Sequence, residues 1–121
     1  MSRQASMGAG VVAVIEGDAD VLDSLRFLLE AAGFAPAAYR SAAQFLDEDP
    51  RRPAGCLIAD QREGLELAHR LHLAGLDLPI LLMADSPSPA LSANAALLGV
   101  RKVLAKPFDP EEALRFAAEH S

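Results

Sequence analysis

The sequence predicts an α/β fold: one doubly wound parallel sheet of five strands in order 2-1-3-4-5, with five helices. Short apolar runs, several rich in Val and Ile, recur along the chain at Val11–Ile15, Cys56–Ala59 and Ile80–Ala84. Runs of that length suit strands buried on both faces. The stretches between them carry apolar residues at helical spacing, and Gly or Pro punctuates most junctions. Strands alternating with helices imply right-handed crossovers and parallel pairing.

Val11 to Ile15 reads as the first strand, closed by Glu16-Gly17-Asp18. Asp18 caps a helix whose Leu22, Leu25, Leu28, Leu29 and Ala32 follow the helical period, and Gly33 stops it. Phe34 to Tyr39 is a weak second strand; Pro36 confines it to a sheet edge. Ser41 with Gln44 forms a capping-box pattern for a short helix through Leu46. Asp47 to Pro53 reads as a polar loop with two prolines. The third strand ends in Asp60, and Gln61-Arg62-Glu63-Gly64 reads as a tight connection to a helix carrying Leu65, Leu67, Ala68 and Leu71, ended by Gly75. Ile80 to Ala84 is the fourth strand; Ser88 and Pro89 start a short helix that Gly99 stops. Val100 to Ala105 is the fifth strand, with Arg101 and Lys102 at its exposed beginning. Asp109-Pro110-Glu111-Glu112 opens the last helix, which carries Leu114, Phe116 and Ala117.

The 121 residues suit one compact domain, expected over 11–121, with residues 1–10 as a flexible arm and Met7 as an alternative start. Hydrophobic residues make up 51%, which argues against disorder, while aromatics at 5% leave little for base stacking. A net charge of −6 argues against nucleic acid or an anionic membrane as the domain's partner. No apolar stretch has the length of a membrane span. The single Cys56, inside an apolar run, reads as a buried thiol and fits a reducing cytoplasm.

Three strand ends carry ionisable groups: Glu16, Asp60 and Lys106. In a parallel sheet these ends lie on one side, and in the order 2-1-3-4-5 the first and third strands flank the switch point. Two carboxylates suit a hard cation such as Mg²⁺, and an ammonium beside them suits a phosphoryl oxygen. The implied chemistry is phosphoryl transfer to an aspartate. On Val14-Ile15-Glu16, Ser24-Leu25, Leu57-Ile58-Ala59-Asp60, Leu78-Pro79-Ile80, Leu98-Gly99 and Lys106-Pro107-Phe108, the chain resembles a response-regulator receiver domain of the nitrogen-fixation-regulator type. The resemblance implies a flavodoxin-like fold and no enzyme activity beyond slow self-phosphorylation and self-dephosphorylation. It makes Asp60 the phosphoacceptor and Lys106 the phosphate contact, with a cis Lys106-Pro107 bond. It implies Mg²⁺, weak or absent, at Glu16 and Asp60, with Asp18 and the Arg62 backbone carbonyl as further candidate ligands. A histidine kinase or phosphotransfer protein is the implied partner. Signalling is implied through the face of the fourth helix, fifth strand and fifth helix, where Leu97, Leu98, Val100 and Phe116 lie; that face admits a homodimer, and an effector domain is admitted outside these residues.

Departures from that pattern bear on mechanism. Gly17 stands where the family carries a second acidic residue, Ala84 where it has Ser or Thr, and Val103 where it has an aromatic residue; Ser86 is a weak substitute for the hydroxyl. The loop after Asp60 is short. A hydrogen bond to a charged group is worth ~1.5–3 kcal/mol, against the ~5.5 kcal/mol that swings a two-state switch fully. The alternative reading is therefore a phosphorylation-independent pseudo-receiver, an interaction module with Glu16, Asp60 and Lys106 as a fixed ion cluster. Asp18 reads first as a helix cap, with auxiliary metal ligand as the alternative. Asp85, Ser24 and the His69–His72 pair read as solvated surface. A haloacid-type phosphatase would want a second aspartate where Arg62 stands.

Overall fold

The computed structural model describes residues 11–47 and 54–120. The arm expected over 1–10 and most of the loop expected over 47–53 lie outside the described residues. Five strands, β1 (Val11–Ile15), β2 (Ala35–Tyr39), β3 (Cys56–Asp60), β4 (Ile80–Ala84) and β5 (Val100–Ala105), alternate with α1 (Ala19–Ala31), α2 (Ala42–Leu46), α3 (Gln61–Leu73), α4 (Pro89–Leu97) and α5 (Pro110–His120). The sheet is parallel throughout, in order β2-β1-β3-β4-β5. Ile15 pairs with Ala59 and Asp60 with Met83, so the ends of β1, β3 and β4 stand side by side. Pro36 is tolerated because β2 is an edge strand.

Alternation along the strands sends side chains to two cores. Val12, Val14, Cys56, Ile58, Leu81 and Met83 pack under α1 and α5, against Leu25, Leu29 and Phe116. Ala13, Ile15, Leu57, Ala59, Ile80 and Leu82 pack under α2, α3 and α4, against Leu67, Ala68 and Ala95. Val100 and Phe116 therefore belong to the interior, and of the apolar residues expected on the α4–β5–α5 face only Leu97 is largely exposed.

Helix starts follow the expected caps. Asp18 Oδ1 accepts from the Asp20 and Val21 amides, Ser41 Oγ from Gln44, and Ser88 Oγ from Leu91. The Ser41 capping box closes one residue early: Gln44 Oε1 accepts from the Arg40 amide, not from that of Ser41. Gly33, Gly75 and Gly99 end their helices at positive φ.

One connection differs from the sequence reading. No turn separates β3 from α3, because the helix begins at Gln61 with Asp60 as its cap. Gly64 is not turn punctuation. It is a buried helical residue where a Cβ would overlap the Leu82 side chain and come within 3.0 Å of the Ala59 Cβ. Glycine there lets α3 lie directly on the sheet.

Candidate functional site

The structure brings Glu16, Asp60 and Lys106 together at the C-terminal edge of the sheet. Lys106 follows β5, and its amide donates to the Ala84 carbonyl at 2.8 Å, which fixes it beside β4. Its Nζ donates to Asp60 Oδ1 at 2.7 Å and to Glu16 Oε1 at 3.1 Å. Glu16 Oε2 accepts from the Asp18 amide at 3.0 Å, and Asp60 Oδ2 from the Arg62 amide at 3.2 Å. Both carboxylates are thus satisfied by one ammonium and one backbone donor each. The Glu16 side chain is only 5% exposed, whereas those of Asp60 and Lys106 are each 21% exposed. An anion buried as deeply as Glu16 needs such pairing, because an unpaired buried charge is costly.

Partial burial pulls the Lys106 pKa down, but hydrogen bonds to Asp60 and Glu16, with the charges of both, outweigh it and hold the pKa above the ordinary lysine value. Asp60 sits at the N-terminus of α3, where the helix dipole favours negative charge. Above the cluster lies an open crevice of about 790 Å³, reached also by Gly17, Asp18, Glu63, Asp85 and Ser86. A separate, mostly apolar groove of about 680 Å³ runs along α1 past Phe27, Leu28, Phe108 and Pro110. It contains neither Asp60 nor Lys106.

Among the described residues no group of three or more His, Cys, Asp or Glu side chains is placed to hold a metal ion. The donor set at the crevice is two carboxylates, Glu16 and Asp60. Carboxylate oxygens accept more than one bond, and Mg²⁺ binds through one or two carboxylates while keeping several waters. The residues present therefore fit a divalent cation, weakened by the ammonium between them. Asp18 is engaged as the α1 cap. The Arg62 carbonyl, expected as a further ligand, lies in the first turn of α3, where it points along the helix axis into the intrahelical ladder.

Ala84 is buried and Val103 packs partly buried against the α2–α3–α4 core, so neither offers a hydroxyl or an aromatic ring to the crevice. His69 and His72 are exposed on α3. Burial pushes the Cys56 thiol up to about 12, which removes it as a nucleophile. Two further residues, Arg40 and Glu63, contact the rim. Arg40 reaches the Gly17 carbonyl, and Glu63 accepts from the Ala42 amide. Asp60-Gln61-Arg62-Glu63 is itself a capping-box pattern and was the available signal for Glu63 and for the helix start.

Among the described residues no helix is long and apolar enough to cross a membrane. Residues 12–117 match the family described as the response regulator receiver domain. The chain is 37% identical over 106 residues to the transcriptional regulatory protein FixJ of Bradyrhizobium diazoefficiens, covering 84% of this chain and 52% of that one. It thus spans about half the length of such relatives. The crystal structure of full-length FixJ from B. japonicum superposes with a TM-score of 0.81 at 34% identity, over 91% of this chain and 56% of that one. A receiver protein from Pseudoalteromonas atlantica superposes with a TM-score of 0.83 at 20% identity, over 90% of this chain and 94% of that one, and shows the fold.

Proposed function

Because the chain belongs to the response regulator receiver domain family, we propose that it is the receiver module of a two-component phosphorelay and that Asp60 accepts the phosphoryl group. The observation that carries this reading is the Asp60–Lys106 contact of 2.7 Å in a crevice open to solvent. An Asp60 carboxylate oxygen bonds to phosphorus as the P–N bond of a phosphohistidine donor breaks. The electron pair leaves with the imidazole nitrogen, which takes a proton from solvent, and the product is an acyl phosphate. Lys106 balances charge on the phosphoryl oxygens as a point cation. The N-terminus of α3 adds a favourable dipole for the same group. Glu16 and Asp60 would hold Mg²⁺, which supplies Lewis-acid stabilisation of those oxygens when bound. The donor is a histidine kinase or phosphotransfer protein, and output runs through the α4–β5–α5 face, where Leu97, Arg101 and Lys102 are exposed.

A second reading has its own support. Every oxygen of Glu16 and Asp60 already has a protein donor. Ala84 and Val103 offer no relay. The domain would then act by shape, as a pseudo-receiver whose ion cluster is fixed.

Intact-mass spectrometry after incubation with Mg²⁺ and a small phosphodonor separates the two. The expected result is one added phosphoryl group in the native protein and none in Asp60→Asn. A folded native protein that gains none would rule out the acceptor reading in favour of the pseudo-receiver.

A further inference from the structure

Arg40 and Glu63 stand outside the charged cluster, yet their contacts close a ring around it. Arg40 follows β2 at the sheet edge, and its Nε and Nη2 both donate to the Gly17 carbonyl, at 3.0 and 2.7 Å. Gly17 lies between Glu16, which holds Lys106, and Asp18, whose amide holds Glu16. The Glu16 amide in turn donates to the Tyr39 carbonyl at 3.0 Å, so residues 39 and 40 secure residues 16 and 17 together. Arg40 is itself held through its own amide, which donates to Gln44 Oε1 of α2. Across the crevice, Glu63 Oε1 accepts from the Ala42 amide of α2 at 2.6 Å. The path runs from Asp60 through Lys106, Glu16, Gly17, Arg40, α2 and Glu63, then back along the first turn of α3 to Asp60.

The chemistry of the two residues suits that place. Glycine offers the β1–α1 loop no side chain as an anchor and has the most backbone freedom to lose. A guanidinium is a planar, preorganised fork that can hold a carbonyl through two donors at once. We propose that Arg40 and Glu63 are positioning residues for the Asp60–Lys106 centre. Through α2 they hold the β1–α1 loop and the first turn of α3 at the separation that lets one ammonium bridge both carboxylates. The proposal deepens the acceptor reading, but its geometry can be measured without phosphorylation.

Lys102 and Lys106 are the chain's only lysines. Competitive acylation of the native protein, read by peptide mass spectrometry, gives the reactivity of Lys106 relative to Lys102. In Arg40→Gln the loop is released from its anchor and Lys106 loses contact with Glu16. Its relative reactivity then rises by up to about tenfold, because the ammonium is freed from one of its two carboxylate partners. Arg40→Lys, which keeps a donor, recovers part of the effect. Glu63→Ala produces the same rise, and Glu63→Gln, which keeps an acceptor for the Ala42 amide, does not. An unchanged ratio in Arg40→Gln and Glu63→Ala, both with native circular dichroism, overturns the proposal. Should Arg40→Gln fail to fold, the Glu63 pair decides alone: equal ratios in Glu63→Ala and Glu63→Gln overturn it. Phosphoryl loading measured in parallel keeps the two claims apart. A raised ratio without any adduct on the native protein retains the positioning role and removes the acceptor reading.

Discussion

Lys106 carries the only ammonium that touches both carboxylates of the crevice among the described residues, and its titration should be visible in the stability of the domain. Its folded pKa is raised above the ordinary value of 10.5 by Asp60 and Glu16, against the opposing effect of burial. A raised folded pKa contributes stability that is whole below the unfolded value, about 10.4, and is lost as pH climbs through the folded value. Urea unfolding from pH 8 upward should therefore show the native protein losing its advantage over Lys106→Met only above that range. An advantage that stays constant through the alkaline range would contradict the ion pairing. The charged trio was legible in the sequence because each member ends an apolar run, where a buried charge would be intolerable. Arg40 and Glu63 were not, because their partners are backbone groups 23 and 21 residues away that no residue type announces. Asp18 was ambiguous for a related reason, since one carboxylate serves equally as cap or ligand until its hydrogen bonds are seen.

Element by element, most boundaries followed from caps and stops, and α3 is the instructive exception. Gly64 looked like a turn residue because glycine has two structural uses, φ freedom and close approach, and sequence alone does not say which applies. Here it is close approach. Gly64→Ala should gain about 1 kcal/mol in intrinsic helix preference. The added methyl meets the Ala59 Cβ and the Leu82 side chain, and overpacking of this kind costs ~1–3 kcal/mol. Leu82 can turn aside at some cost, but the Ala59 methyl is fixed to its strand, so overpacking prevails. A net loss of up to ~2 kcal/mol is expected in urea unfolding, together with a displaced first turn of α3 that weakens the Asp60 cap. A variant more stable than the native protein would mean that the helix does not lie this tightly on the sheet.

For the molecule as a whole, strand order and the placement of the crevice were the most legible features. Five strands in alternation with helices leave few unknotted right-handed arrangements. The division of the interior was less visible: a strand buried on both faces reads as a continuous run, and its alternation emerges only once the helices are in place. Ile58 packs under α1 and α5 while Leu67 packs on the opposite side. Ile58→Val should cost ~0.5–1.5 kcal/mol and Leu67→Ala ~2–5 kcal/mol. Because the two lie in separate core clusters, the double variant should match their sum to within ~0.5 kcal/mol. A same-side pair, Ile58→Val with Leu25→Ala, should depart from additivity, and a large coupling across the sheet would refute the division. The consequence reaches past stability. The sheet works as insulation between the two cores: substitutions beneath α1 and α5 are felt weakly by α2 and α3, and that side reaches the crevice through the β1–α1 loop, where the Asp18 amide holds Glu16.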